Sequence, residues 1–538
     1  MVEILDCTLR EAPVEKMVFG KRFIQRFLSG LGRVGVDVIE CGFLKNEEYV
    51  EGSTIFKRVE EIQPYLLNRR PESMYVALVD YGRYDLDNLS EYTGESIDGI
   101  RICFKKAERN EVIEYAKAIK KKGYKVFIQH VDTLDYTDLE LLQFIAKVNE
   151  LRPYAYSVVD TFGSMYVDDM RRICELVNHN LDKRIKLGFH GHDNLMMANA
   201  NVQEFVDLFS ERRDIIVDAS LLGCGRGAGN AKMELVVAYL NKKRRCNYDL
   251  NEVLDMIDHL MPRIQSRCTW GYSMPYVLSG LHGTHVFNVN YLLKNHNIKL
   301  KDLRGIIERL DYQQKKKYDY DLLDSLYVDY FDHSIDDKAA REYLKGFQKR
   351  KVLILAPGKS LVDCRNTILD FIEKESPMII SLNSIMEGYT SDFVFFSSCN
   401  RYEYYENITG KCKRQKCLVT SNIKKTADEN EFIFDYRSLL KYGWRNMDSS
   451  VILLFRLLLN NGYKRIYFAG LDGFRENKED NYFDEELVTN MQREDLGLLT
   501  KEICEMFTDM LPDVQKKGVE VKFVTESRYE DIFLREGV

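Results

Sequence analysis

The chain has 538 residues, more than one hydrophobic core usually serves, so at least two domains are expected. Hydrophobic residues make up 45% and charged residues 30%, a soluble globular balance, and the net charge of -7 argues against a nucleic-acid partner. Twelve cysteines without CxxC spacing exclude a disulfide scaffold and point to a reducing cytoplasm, and no apolar run approaches the ~18–20 residues of a membrane span.

The chain opens on a strand, Val2–Cys7, with no leader-like stretch before it. Short β-branched runs then recur at Val36–Cys41, Met74–Val79, Gly99–Phe104, Tyr124–His130, Ala155–Asp160, Ile185–His190 and Ile215–Ser220. Helically spaced stretches lie between them, among them Lys21–Leu31, Glu111–Lys122, Asp138–Leu151, Asp168–Asn178 and Ala231–Leu240. Eight strands alternating with helices predict a (β/α)8 barrel over 1–250. The basic run Lys242-Lys-Arg-Arg245 reads as a solvated helix end. A helical extension and linker is expected over 251–345. From Lys351 a second α/β pattern begins, with strands at Val352–Leu355, Met378–Leu382, Phe393–Phe396, Ile466–Ala469 and Val519–Val524 and a helix at Ser450–Leu459. It predicts a Rossmann-like domain over 346–538.

Barrel chemistry sits where strands end. Strand one runs into Arg10-Glu11, and strand seven ends in His190-Gly-His192. Residues two apart on a strand face the same way, so both imidazoles can reach one ion. A carboxylate from strand one completes a two-histidine, one-carboxylate face with open positions. Such a face suits a divalent metal that holds a 2-oxo acid and stabilises its enolate. Arg10 is placed to meet the developing oxyanion.

The stretches Asp6-Cys-Thr-Leu-Arg-Glu11, Glu40-Cys-Gly42, Gly188-Phe-His-Gly-His-Asp-Asn-Leu195 and Asp218-Ala-Ser-Leu-Leu-Gly-Cys-Gly-Arg-Gly-Ala-Gly-Asn-Ala231 resemble the DRE-TIM metallolyases. That family includes hydroxymethylglutaryl-CoA lyase, isopropylmalate and homocitrate synthases, and 4-hydroxy-2-oxovalerate aldolase, and the last stretch is most similar to the aldolase branch. The resemblance implies that Glu11, His190, His192 and Asn230 hold Mn2+ or Mg2+, that Arg10 is catalytic, and that Glu40, Asp160 and Asn194 line the substrate pocket. Asp218 is expected to brace the glycine-rich loop, and Cys7 and Cys41 to pack in the core. Two departures stand out. The family's Arg-Asp-Gly is Arg10-Glu11-Ala12 here, and the Pro13-Val-Glu-Lys16 stretch lacks the histidine base of the aldolases. His130 and Tyr276 are therefore the candidate bases, with Tyr272, His282 and His285 as further ones. The resemblance implies a lyase joining or splitting a pyruvate-like enolate and an aldehyde, in a homodimer. A Claisen-type acyl-CoA enzyme and a catalytically degenerate nucleotide-binding scaffold remain as alternatives.

In the second half, Ala356-Pro-Gly-Lys-Ser-Leu361 joins a strand to a helix, which offers backbone N–H groups to a phosphate without being a Walker A loop. With Ser381-Leu-Asn383, Phe395-Phe-Ser-Ser398 and Gly462-Tyr-Lys-Arg-Ile-Tyr-Phe-Ala-Gly-Leu-Asp472, this domain resembles bacterial sialyltransferases that use CMP-activated sugars. It implies a nucleotide or nucleotide-sugar ligand at Gly358, Ser360, Asn383 and Asp472. Barrels fused to such a domain resemble proteins that accompany surface-polysaccharide enzymes.

Overall fold

A computed structural model describes residues 1–12, 17–296, 298–331, 335–408, 415–424, 426–489 and 495–534. The chain forms two compact units, Met1–Val286 and Phe287–Val538. The helical stretch expected at 251–345 is divided between them. Helices Leu250–Gln265 and Met274–His282 fall in the first unit, and those from Leu300–Glu308 onward fall in the second.

The first unit is a closed eight-stranded parallel barrel. Its strands are β1 Val2–Asp6, β2 Val38–Leu44, β3 Met74–Asp80, β4 Gly99–Phe104, β5 Lys125–His130, β6 Ala155–Asp160, β7 Lys186–Gly191 and β8 Ile215–Ala219. Each pairs with the next, and β1 closes the ring by pairing with both β2 and β8. A two-residue strand, Ile55–Phe56, adds to the end of β2. The strands are near-continuous apolar runs because both faces are buried. Inward residues Leu5, Val38, Val76, Phe127, Ala155 and Ile216 form one apolar layer of the lumen. Below it, the N-terminal end is closed by the Lys186–Glu3 ion pair with Tyr154 beside it.

The helices follow from local signals. Thr137 and Glu140 form a reciprocal cap that starts Asp138–Leu151. Lys21–Val34 ends on Gly35, whose φ of 90° suits a residue without Cβ. Leu250–Gln265 packs on this helix, with Met256 against Gly30 and Arg33 paired with Glu252 at 2.6 Å.

The second unit holds a seven-stranded parallel sheet: β9 Val352–Leu355, β10 Met378–Leu382, β11 Phe393–Phe396, β12 Cys417–Thr420, β13 Glu431–Phe434, β14 Arg465–Ala469 and β15 Glu520–Phe523. Its spatial order is β13-β12-β11-β10-β9-β14-β15. Helix Arg365–Glu375 covers one face through Ile368, Phe371 and Ile372. Ser450–Asn460 and Leu496–Lys516 cover the other, where Phe455 and Phe507 meet Phe468. Among the described residues no helix is long and apolar enough to cross a membrane.

Candidate metal centre of the barrel

Glu11 lies on the short helix Thr8–Glu11 directly after β1, and His190 and His192 lie at the end of β7. One ligand atom from each falls within 4.8 Å of the others, and His190 Nε2 is 3.9 Å from Glu11 Oε1. His190 Nδ1 donates to Asp218 Oδ2 at 2.9 Å, which leaves Nε2 as the lone-pair nitrogen facing Glu11. Asp218, expected to brace the glycine-rich loop, instead orients His190.

Beneath the cluster lies a buried charge network. Arg101, fully enclosed on β4, donates to Asp218 and stands 2.9 Å from Glu40 Oε1. Glu40 accepts from Arg10 Nε at 2.8 Å, and Arg10 also donates to Glu11. Glu40 is thus a buried anchor for Arg10, not a pocket wall. Burial works to raise the Glu11 carboxyl, but Arg10, His192, Arg226 and His190 outweigh it and hold it at about 2. Burial likewise pushes His192 down to about 3, so its imidazole is neutral. A neutral His192 imidazole and an ionised Glu11 carboxylate are the states that a cation needs.

Asn230 adds an independent sign. It is bridged to His192 across the backbone, and its Nδ2 donates to the Cys224 carbonyl at 2.8 Å. Among the described residues its Oδ1 is buried with no hydrogen-bond partner. An orphaned buried acceptor beside a Glu-His-His cluster is what an additional oxygen ligand looks like before the ion is added. The donor set fits a divalent cation.

Four other expected residues do not join the site. His130 points out of the lumen into an aromatic shell of Phe104, Tyr136, Phe144 and Tyr156, with Tyr156 Oη 2.7 Å from Nε2. Burial lowers it to about 3, and it is a packed core histidine rather than a base. Asp160 accepts the backbone N–H groups of Ser164 and Met165 at 2.8 and 3.0 Å, so it holds the loop after β6. Asn194 donates to the Phe162 carbonyl and accepts from Ala228 N–H, both at 2.9 Å, which ties that loop to the glycine-rich segment. That segment needs its glycines: Gly229 has φ of 91°, and a Cβ there would run into the Gly223 carbonyl. Tyr276 sits half-buried on Met274–His282, with no hydrogen bond or ion pair to Arg10, Glu11, His190 or His192.

Two residues outside the sequence-based set belong here. Arg101 is one; its signal was a lone cation inside the apolar strand Gly99–Phe104, which burial obliges to be paired. Arg226 is the other. Exposed on the glycine-rich loop, it is within electrostatic range of Glu11, His192 and His285. His285, lowered to about 4 by burial and by Arg226, is the histidine among the sequence candidates that shares this neighbourhood.

In the second unit, three of the four expected ligand residues, Gly358, Asn383 and Asp472, line one cleft at the C-terminal ends of β9, β10 and β14. Ser360 stands behind them. Its N–H donates to Asp472 Oδ2 at 3.0 Å, and the Gly358 N–H donates to the Gly470 carbonyl at 2.9 Å. A Cβ at Gly358 would strike both Gly470 and Asp472. The Ala356, Gly358, Ser360 and Leu361 N–H groups, expected to meet a phosphate, are therefore spent inside the protein.

The first half of the chain is similar to known proteins. The oxaloacetate decarboxylase of Mycobacterium tuberculosis is 31% identical over 205 residues, which is 38% of this chain and 58% of that protein. The 4-hydroxy-2-oxovalerate aldolase of Thermomicrobium roseum is 25% identical over 302 residues, 53% of this chain and 81% of the aldolase. The crystal structure of the Bacillus subtilis HMG-CoA lyase superposes with a TM-score of 0.41 at 16% identity, over 49% of this chain and 93% of that one. The family model described as HMGL-like matches residues 1–260. Over residues 1–260 this chain is thus similar to the HMGL-like family, and it spans 58% of the length of the oxaloacetate decarboxylase it matches.

Proposed function

We propose that the barrel is a divalent-metal-dependent lyase that makes or breaks a carbon–carbon bond next to a 2-oxo acid, producing or consuming a pyruvate-type enolate. The observation that carries this reading is the Glu11, His190 and His192 cluster with the orphaned Asn230 Oδ1 beside it and Arg10 fixed at its edge. A cation held there, Mn2+ or Mg2+, would supply Lewis-acid polarisation of the 2-oxo group. Arg10, locked by Glu40, presents fixed N–H groups to the oxygen that becomes negative, so little reorganisation is needed as charge develops. The exposed Arg226 attracts the substrate carboxylate. Asp218 and Arg101 keep the His190 tautomer fixed.

Aldol cleavage of a 4-hydroxy-2-oxo acid needs a base for the hydroxyl proton; decarboxylation of a 2-oxo diacid releases CO2, leaves the same enolate and needs no such base. The loss of the histidine after Arg10 and the enclosure of His130 favour carrying decarboxylation as a second reading, and the decarboxylase relative supports it. A setting in surface-polysaccharide or unusual-sugar biosynthesis is part of the proposal and rests on the domain fusion alone. The test is release of pyruvate from 4-hydroxy-2-oxo acids and from oxaloacetate by metal-depleted protein, before and after Mn2+ or Mg2+ is restored. Metal-dependent turnover of either substrate is expected, and the preferred substrate separates the two readings. Full turnover without metal would end both.

A further inference from the structure

Asn230 owes its place to the turn that precedes it. Its N–H donates to the Gly223 carbonyl at 2.9 Å, and its Nδ2 to the Cys224 carbonyl at 2.8 Å. Both acceptors directly follow Leu222, which is held at φ 54° and ψ 18°. In that left-handed conformation Cβ crowds the carbonyl oxygen, so a leucine keeps it only where its surroundings impose it. Two contacts do so. The Leu222 N–H donates to Glu234 Oε2 at 3.1 Å, and the Leu222 carbonyl accepts the indole N–H of Trp270 at 2.9 Å.

Trp270 lies in the irregular segment 266–273, between the helices Leu250–Gln265 and Met274–His282. Its ring edge rests on Gly229, the residue before Asn230, where a Cβ would come within 3.2 Å of Cδ1. The same segment reaches the other side of the metal centre. Cys268 Sγ donates to the Ala12 carbonyl at 3.3 Å, and Ala12 directly follows Glu11. The helix beyond it seats Gly280 against Leu195, just past His192. One segment outside the barrel strands thus clasps the turn that carries Asn230 and the end of the helix that carries Glu11. Packing alone would ask only for the apolar face of the indole. Here its N–H is aimed at the carbonyl of the strained residue.

We infer that Trp270 is a positioning residue for the metal centre: its indole N–H holds Leu222 in the left-handed turn that sets Asn230 Oδ1 beside Glu11, His190 and His192. This role rests on the metal reading above. The test is Mn2+ affinity of the full chain by electron paramagnetic resonance, at a temperature where circular dichroism shows every variant folded. Trp270→Phe keeps an aromatic ring on Gly229 and removes the N–H, and it should weaken Mn2+ binding five-fold or more. In an Asn230→Ala chain the same change should weaken binding less than two-fold, because the residue it positions has gone. Leu222→Gly added to Trp270→Phe should return affinity to within two-fold of the unaltered chain, because glycine takes the left-handed turn unaided. Unchanged affinity in Trp270→Phe, an equal loss with or without Asn230, or no recovery with Leu222→Gly would overturn the role of Trp270 and leave the metal centre standing. An unaltered chain that binds no Mn2+ would instead remove the metal centre, and this role with it.

Discussion

The charge network under the metal site makes a prediction of definite size. Replacing Arg101 by methionine removes the cation that stands between Glu40 and Asp218, two carboxylates that are 0% and 2% exposed. Breaking a buried ion pair by deleting one partner typically costs about 3–5 kcal/mol. For a domain of this size that is a fall in melting temperature of roughly 6–20 °C. Asp218 would then lose its second partner and hold the His190 ring less firmly in the orientation a metal needs. Loss of such an outer partner commonly lowers metal affinity by about 10–100-fold. Scanning calorimetry and Mn2+ titration measure the two effects. Adding Asp218→Asn to Arg101→Met should return part of the lost stability, because the stranded charge goes with it. An Arg101→Met chain with unchanged melting and unchanged Mn2+ affinity would refute the reasoning.

Two further outcomes follow from the site. His130 is lowered by burial from 6.5 to about 3, so the folded state resists a proton that the unfolded chain accepts. Its stabilising contribution is complete above pH 6.5 and is lost as pH falls towards 3, amounting to about 2 kcal/mol by pH 5. His130→Phe should flatten that part of the acid-unfolding profile and leave turnover at pH 7.5 in place; loss of turnover with an intact fold would return His130 to the chemistry. Arg226→Gln should raise KM for the 2-oxo acid about ten-fold with little change in kcat and none in Mn2+ binding, with Arg226→Lys intermediate. Steady-state kinetics showing an unchanged KM would remove Arg226 from substrate binding.

The barrel was readable because its strands are buried on both faces and so appear as unbroken β-branched runs between amphipathic helices. The ligand set was readable because His190 and His192 are spaced by two at a strand end, and both therefore face inward. The same parity rule explains what was misread. Phe127 points into the lumen from β5, so Gln129 shares its direction and His130, one residue on, points out. On β6 Ala155 points inward, and Asp160 falls on the other face. Burial of a single cation in β4 gave Arg101 away only once its partners, 61 residues before it and 117 after, were known. In the second unit, β12 and β13 were missed because four-residue strands flanked by charged residues carry too little periodicity. The glycine loop had the right residues for a phosphate cradle, but only the fold shows that Gly470 and Asp472 already occupy it.

The central claim is that Glu11, His190, His192 and Asn230 hold one divalent cation. Electron paramagnetic resonance of Mn2+ added to the metal-depleted full chain tests it most directly. The account predicts one bound ion per chain, absent in His190→Ala and in His192→Ala, and held more weakly by Asn230→Ala. Mn2+ that fails to bind the folded protein, or that binds the two histidine variants as tightly as the unaltered chain, would contradict it.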